Sequence, residues 1–229
     1  DNMNKRRTVC ANDSVMLDWQ VNVPDALRGH PVLVCCCMVP AQQLKCMEQC
    51  PDASLVLSDS MDKWLRRQPE LLDAVISRSH ITMMNEDEAK EYAAASTVLE
   101  AGEFLLSRGA SYAVVKQGEY GATLIGRGED GRTRIFRCPA YPLKTLVDPT
   151  GAGDTFLGAL AGYLSTLPEG LPSFEHVKRG IVYGTVAASF TCESFSADAL
   201  LSMTPETFRK RLAEYTEMCS MPAACNSWI

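Results

Sequence analysis

The 229-residue chain has only three histidines, and none of its ten cysteines form a C-x-x-C pair. Those two shortages argue against a structural zinc site. Long apolar runs are missing too. The longest, from Pro31 to Ala41, is about half of what a bilayer span needs. There is no basic excess: 22 Lys and Arg stand against 28 Asp and Glu, a formal charge of -6. That balance argues against general nucleic-acid binding, although a few local donors suffice for a phosphate ligand. Lys5-Arg6-Arg7 reads as a solvated terminus, and KWLRR around Trp64 as a helix surface. No apolar h-region follows DNMNKRR, so no secretory signal is visible, and the CNSWI end matches no retention or lipidation signal. Internal repeats and low-complexity linkers are absent as well.

What is present is enough apolar residue for a sizeable core. The chain is 46% hydrophobic and 22% charged, which excludes a wholly disordered, collagen-like or coiled-coil chain. The length suits one large domain or two small ones. Cys35-Cys36-Cys37, inside VLVCCCMVP, read as small hydrophobes of a buried strand. A disulfide framework is not expected in a chain with a real core, so the compartment is read as reducing and cytoplasmic. The chain opens on Asp1 rather than Met, which suggests a processed, trimmed or partial sequence.

Short β-rich runs alternate with helical patterns. Strands are expected over Val32 to Met38, Ser54 to Ser58, Ile81 to Met84 and Tyr112 to Lys116. ATLIG and RIFRC, flanking GRGEDGRT, read as a hairpin. Helices are expected over Ala41 to Cys50 and from Pro69 to about Ser77. Another runs from an Asn85 N-cap to about Ser107, with Ala89, Tyr92, Ala93, Leu99 and Phe104 available for its buried stripe and Gly109 stopping it. Three more run from about Gly153 to Leu164, around Phe174 to Phe190, and around Pro205 to Met218. Strand–helix alternation with buried-type strands predicts a parallel sheet covered by helices on both faces. Before Pro31, VCANDSVMLDWQVNV alternates weakly and reads as one or two strands of a separate small β element.

The string Asp148-Pro149-Thr150-Gly151-Ala152-Gly153-Asp154, followed by TFLGALAGYL, carries the chemistry. Two glycines and an alanine remove side chains where backbone N–H groups must face a ligand. A helix starts there, so unpaired donors and the positive end of its dipole converge on an anion hole. Such a hole suits the charge spread over a transferring phosphoryl group. Asp154, in the first turn, can take a proton from a substrate hydroxyl. No G-K-[ST] follows, so this is not a Walker A loop. It does not follow the first strand of a βαβ unit as G-x-G-x-x-G, which leaves a Rossmann dinucleotide site poorly supported.

The whole string resembles the D-T-x-G-A-G-D signature of the ribokinase-like carbohydrate kinases, the PfkB family. Two more segments resemble that family. Asn85-Glu86-Asp87-Glu88 matches its N-x-x-E, which implies that Asn85 and Glu88 help hold Mg2+, largely through water. The bland reading of the same residues is a capped acidic helix start. Val115-Lys116-Gln117-Gly118-Glu119-Tyr120-Gly121-Ala122 resembles its K-x-G-x-x-G. That likeness implies that Lys116, Gly118 and Gly121, with Thr150 of the signature, lie along the ATP phosphates and ribose; the bland reading is a strand–turn–strand. YPLKTLVDPTGAGDTFLGALAGYL and VYGTVAASFTCESF look like a bacterial-type sugar kinase of this family. Asp148 holds a position that in some relatives adjoins a monovalent-cation site. The LSDSMDKW stretch is a partial fit only. Its Asp59 and Asp62 read at least as well as a strand-end turn and are left outside the expected site.

The resemblance covers the chain from about Thr8 onward. It implies a three-layer α/β/α sandwich with a mostly parallel sheet and the N-terminal part of the fold missing. Residues 1–24 would be a remnant of the β-lid and residues 25–229 the nucleotide-binding and catalytic core. The implied activity is transfer of the ATP γ-phosphoryl group to a hydroxyl of a small-molecule sugar or nucleoside. Asp154 would be the base and Gly151, Ala152 and Gly153 the anion hole. The family's G-G-x-x-x-N segment, which serves the sugar, has no counterpart. The alternative is therefore a truncated, inactive relative that binds nucleotide or a partner. Dimerisation through the lid strand stays open, and no nucleic-acid or membrane partner is expected.

Overall fold

A computed structural model describes residues 18–128 and 130–220. Six strands form one sheet in simple sequence order. They are β1 (Val32–Cys35), β2 (Leu55–Asp59), β3 (Ile81–Asn85), β4 (Tyr112–Lys116), β5 (Ala122–Arg127) and β6 (Thr133–Cys138). The first four pair in parallel; β5 and β6 add on antiparallel as the expected hairpin. The crossovers between parallel strands are helical. They comprise α2 (Pro40–Gln49), α3 (Asp62–Arg67), α4 (Pro69–Ser77), α5 (Glu86–Ala93) and α6 (Val98–Ser107). A short α1 (Asp25–Arg28) precedes β1. Helices α7 (Ala152–Leu164), α8 (Phe174–Thr191), α9 (Asp198–Ser202) and α10 (Pro205–Met218) follow the hairpin.

The pleat sorts the core into two layers, because alternate residues of a strand point to opposite faces. Leu55, Leu57, Ile81, Met83, Tyr112, Val114 and Leu124 pack against Phe156, Leu157 and Leu160 of α7 and Val177 and Ile181 of α8. On the other face, Met84, Ala113, Val115 and Ile125 meet Leu72 and Ile76 of α4, Ala89 of α5, and Ala101 and Leu105 of α6. Each large side chain so buried contributes about 1.5–3 kcal/mol. Helices α7 and α8 approach closely because α8 carries glycines at the contact. A Cβ on Gly180 would fall 2.4 Å from Leu160 Cδ1, and one on Gly184 would fall 2.9 Å from the Phe156 carbonyl oxygen. This pairing fixes the N-terminus of α7 over the sheet.

Three expectations need correction. Strand β1 stops at Cys35, and Cys36 is exposed. The chain turns there because Pro40 opens α2, and the Gln43 amide of that helix bonds the carbonyls of Cys35 and Cys36. The helix expected from Asn85 to Ser107 is two. Ala94 takes a left-handed conformation that ends α5, and Thr97 starts α6 with its own capping box. Leu99 consequently faces solvent rather than the core. KWLRR lies in α3, whose Trp64 and Leu65 are buried, so it is not merely a helix surface. Of the predicted lid remnant, residues 1–24, the stretch before residue 18 lies outside the described residues, and residues 19–24 are irregular. No described helix is long and apolar enough to cross a membrane.

Candidate active site

The same alternation that builds the core delivers three polar side chains to one place. Asp59 continues the Leu55–Leu57 row, Asn85 the Ile81–Met83 row, and Lys116 the Tyr112–Val114 row. All three end their strands on the α7 side of the sheet, at the C-terminal edge where open α/β sheets bind ligands.

Lys116 reaches from β4 across the end of β3 to β2, where its Nζ donates to Asp59 Oδ2. Asp59 is 5% exposed. Its other oxygen accepts the Ser60 N–H at 2.9 Å, and its carbonyl accepts the Gln43 amide at 2.9 Å. Burial pushes the Asp59 carboxyl above the ordinary carboxylate range, and the Lys116 ammonium offsets part of that rise.

Above this pair sits the start of α7. Gly151 is its N-cap residue at φ 82°, a left-handed conformation that glycine adopts without strain. With no side chain it cannot cap the helix. The Ala152 N–H donates to the Pro149 carbonyl at 3.1 Å, and the Thr155 N–H to the Gly151 carbonyl at 2.9 Å. Between them the Gly153 and Asp154 N–H groups belong to the first turn, which a helix cannot pair internally. The Thr150 N–H is turned back onto Asp148 Oδ1 at 2.9 Å, shaping the approach to the loop. Gly153 lies directly over Lys116: a Cβ there would be 3.3 Å from Nζ. Asp154 is exposed at the mouth.

Asn85 and Glu88 form a reciprocal capping box. The Glu88 N–H donates to Asn85 Oδ1 at 2.8 Å, and the Asn85 N–H to Glu88 Oε2 at 3.0 Å. Glu88 is 8% exposed, and burial pushes its carboxyl up from the ordinary 4.5 to about 7. The capping hydrogen bond and Lys116 oppose that rise, while Asp59 and Asp62 add to it. Cys37, in the loop after β1, is pushed up to about 12, first by burial and then by the Asp59 and Glu88 carboxylates. Cys36, exposed but with its thiol partly desolvated by the loop, is raised by that desolvation and by Asp154 and Asp59. One loop thus feels β2, α5 and α7 at once.

Gly118 and Gly121 lie in a 3-10 turn joining β4 to β5. Gly121, at φ 95°, has no room for a side chain: its Cβ would fall 1.9 Å from the Cys138 carbonyl oxygen. The turn therefore has a structural need for that glycine whatever it binds. An open hollow of about 360 Å³ is lined by Tyr141, Pro142, Leu143, Lys144, Thr145 and Glu193.

The structure thus brings Lys116, Asn85, Glu88, Gly153 and Asp154 to one sheet edge. Gly118 and Gly121 sit in the turn just after Lys116. Asp59, left outside the expected site, is at its centre. The signal that would have found it is a carboxylate in phase with two buried leucines at a strand's end.

A family model described as pfkB family carbohydrate kinase matches residues 29–203. A cytidine kinase of Thermococcus kodakarensis is 30% identical over 167 residues, 71% of this chain and 56% of that protein. Mouse ribokinase is 35% identical over 96 residues, 42% and 28% of the two chains. The chain thus spans just over half of the first relative and just over a quarter of the second. Among solved structures, ribokinase from Thermotoga maritima superposes with a TM-score of 0.62 at 21% identity, covering 85% of this chain and 60% of that one. A nucleoside kinase from Methanocaldococcus jannaschii gives 0.65 at 18% identity, covering 88% and 60%. The fold is therefore ribokinase-like, a mostly parallel sheet between two helical layers.

Proposed function

Because the chain belongs to the PfkB family of carbohydrate kinases, we propose that it moves the γ-phosphoryl group of ATP to a hydroxyl of a sugar or nucleoside. One observation carries the reading. An uncapped, glycine-started helix N-terminus lies over a lysine ammonium at the C-terminal edge of a parallel sheet, with an exposed carboxylate in its first turn.

The roles follow from the chemistry of phosphoryl transfer, which asks a protein mainly for positioning and charge stabilisation. The Gly151-Ala152-Gly153 loop holds the transferring phosphoryl oxygens on first-turn amides and the helix dipole. With the Ala152 N–H bonded to Pro149, the Gly153 and Asp154 amides carry most of that task. Lys116 adds a full positive charge beneath them. Gly118, Gly121 and Thr150 line the path of the nucleotide. Asp154 accepts the proton of the acceptor hydroxyl as the new O–P bond forms and the bond to the ADP leaving oxygen breaks.

The residues present fit a hydrated magnesium ion. Among the described residues no three metal-binding side chains cluster tightly enough to ligate an ion directly. Magnesium that keeps several waters needs only one or two protein oxygens nearby. Asn85 and Glu88 would supply them, and a cation would relieve the cost of burying the Glu88 carboxylate. Bound magnesium neutralises charge on the phosphate oxygens during transfer.

The test is ATP consumption by the chain against cytidine, ribose and a wider sugar and nucleoside panel, beside Asp154→Asn. Turnover that the substitution reduces by about a thousandfold or more, with ATP binding nearly intact, supports the assignment. ATP binding without turnover against any acceptor would favour the alternative of a nucleotide-binding relative. Loss of ATP binding in Asp154→Asn would remove Asp154 from the role of base.

A further inference from the structure

We propose that Asp59 is a positioning residue for Lys116, laying its ammonium under the N-terminus of α7 so that the two form one anion site. This rests on the kinase reading above and names the residue that assembles its phosphate end.

Lys116 and Asp59 lie on β4 and β2, with β3 between them. Strands are spaced by about 4.8 Å, so the pair bridges roughly 9–10 Å. A lysine free at a strand end has four side-chain torsions and no reason to lie flat across its neighbour. Asp59 supplies the reason. Its Oδ2 takes the ammonium, its Oδ1 is fixed by the Ser60 N–H, and its carbonyl is fixed by Gln43. The carboxylate is therefore held by the Ser60 N–H, and its backbone by Gln43, in a buried position. The extended lysine becomes a bar across the end of β3, and its ammonium comes to rest against Gly153. That position lies beneath the unpaired first-turn donors of α7. Ammonium and helix dipole then act on the same oxygens.

A positioning role and a mere neighbouring charge predict opposite signs. If Asp59 only contributes a negative charge near the phosphates, Asp59→Asn removes repulsion and tightens ATP binding. If it aims Lys116, the substitution frees the lysine and weakens binding, although the net charge has become more favourable.

The experiment is calorimetric titration of MgATP into the full chain, for the wild type, Asp59→Asn, Asp59→Glu, Lys116→Met and the double variant Asp59→Asn/Lys116→Met. Thermal melts of each run alongside. The expected result is a loss of affinity of about tenfold or more in Asp59→Asn, with partial recovery in Asp59→Glu. The double variant should be no weaker than Lys116→Met alone. Where turnover is measurable, KM for ATP rises while KM for the acceptor stays. Unchanged or tighter ATP binding by Asp59→Asn overturns the proposal and leaves the kinase reading standing. If Asp59→Asn does not fold, the double variant decides, since it leaves no unpaired ammonium; a further loss relative to Lys116→Met overturns the proposal. A wild-type chain that binds no ATP overturns both.

Discussion

Glu88 offers a direct check on the site's electrostatics, because its carboxyl is buried and titrates from about 7 rather than 4.5. Between those values the folded state binds more protons than the unfolded one. Stability is therefore fully present below the unfolded value and is lost as pH rises toward about 7. At 1.36 kcal/mol per pH unit, that displacement costs the folded protein about 3 kcal/mol once Glu88 is ionised. Glu88→Gln removes the charge but keeps an oxygen to accept the Asn85 N–H, so the capping box survives. The variant should match the wild type near about pH 5 and exceed it near about pH 8. For a chain of this size the excess amounts to roughly 6–12 °C in Tm. Thermal melts at both pH values, first with EDTA, give the comparison. The difference between the two proteins isolates Glu88 from the other carboxylates that titrate in the same range. A second series with magnesium chloride tests the proposed metal role: the ion should raise the wild-type Tm near pH 8 and leave the glutamine variant unmoved. A Glu88→Gln protein that is equally displaced at both pH values, or less stable near pH 8, would refute the reasoning.

Three further outcomes follow from the geometry. Gly121→Ala places a Cβ 1.9 Å from the Cys138 carbonyl oxygen at φ 95°, so the hairpin must shift. A loss of about 3 kcal/mol or more is expected in urea unfolding, and an unchanged midpoint would contradict the packing. Gly153→Ala brings a methyl to 3.3 Å from Lys116 Nζ. ATP affinity should fall by about threefold to tenfold with little change in Tm, since alanine suits a helix; equal affinity would mean that the ammonium does not rest there. The third concerns thiols. Hydrogen bonds from Cys35 and Cys50 lower Cys46 to about 7, whereas partial desolvation of the thiol and the Asp154 carboxylate raise Cys36. Because thiolate is the reactive form, iodoacetamide near neutral pH should label half-buried Cys46 before exposed Cys36. Mass mapping showing the reverse order would count against the carboxylate field around the loop.

How much of this was legible in the residues depends on how far apart the cooperating residues lie. Helices α4 and α10 begin and end where Pro69, Ser77, Pro205 and Met218 indicated, because a proline at the first helical position is a local instruction. Asn85 and Glu88 are three residues apart, and the capping box they form is written in four residues. The break at Ala94 was missed because a non-glycine left-handed residue carries no compositional mark; Ser96-Thr97 with Glu100 was the available signal for a restart. KWLRR reads as a surface because its basic residues dominate, whereas α3 turns Trp64 and Leu65 inward and leaves Arg66 and Arg67 exposed.

The contrast between the two halves of the site is the instructive one. The loop over the site occupies seven consecutive residues, from Asp148 to Asp154, and backbone geometry alone leaves first-turn N–H groups open there. Its floor joins Asp59 to Lys116, 57 positions apart, through a sheet order that no short motif encodes. Yet the phase was there. Leu55-Leu57-Asp59 and Tyr112-Val114-Lys116 each carry two buried residues and then a charge, in steps of two. Once both runs are strands of one parallel sheet, the two charges must share a face and an edge. Opposite signs in that position, two strands apart and under a helix N-terminus, leave the longer side chain to cross to the shorter. The lysine is the only one of the two with the reach, so the cation ends up beneath the loop because the anion is anchored on the far side of it.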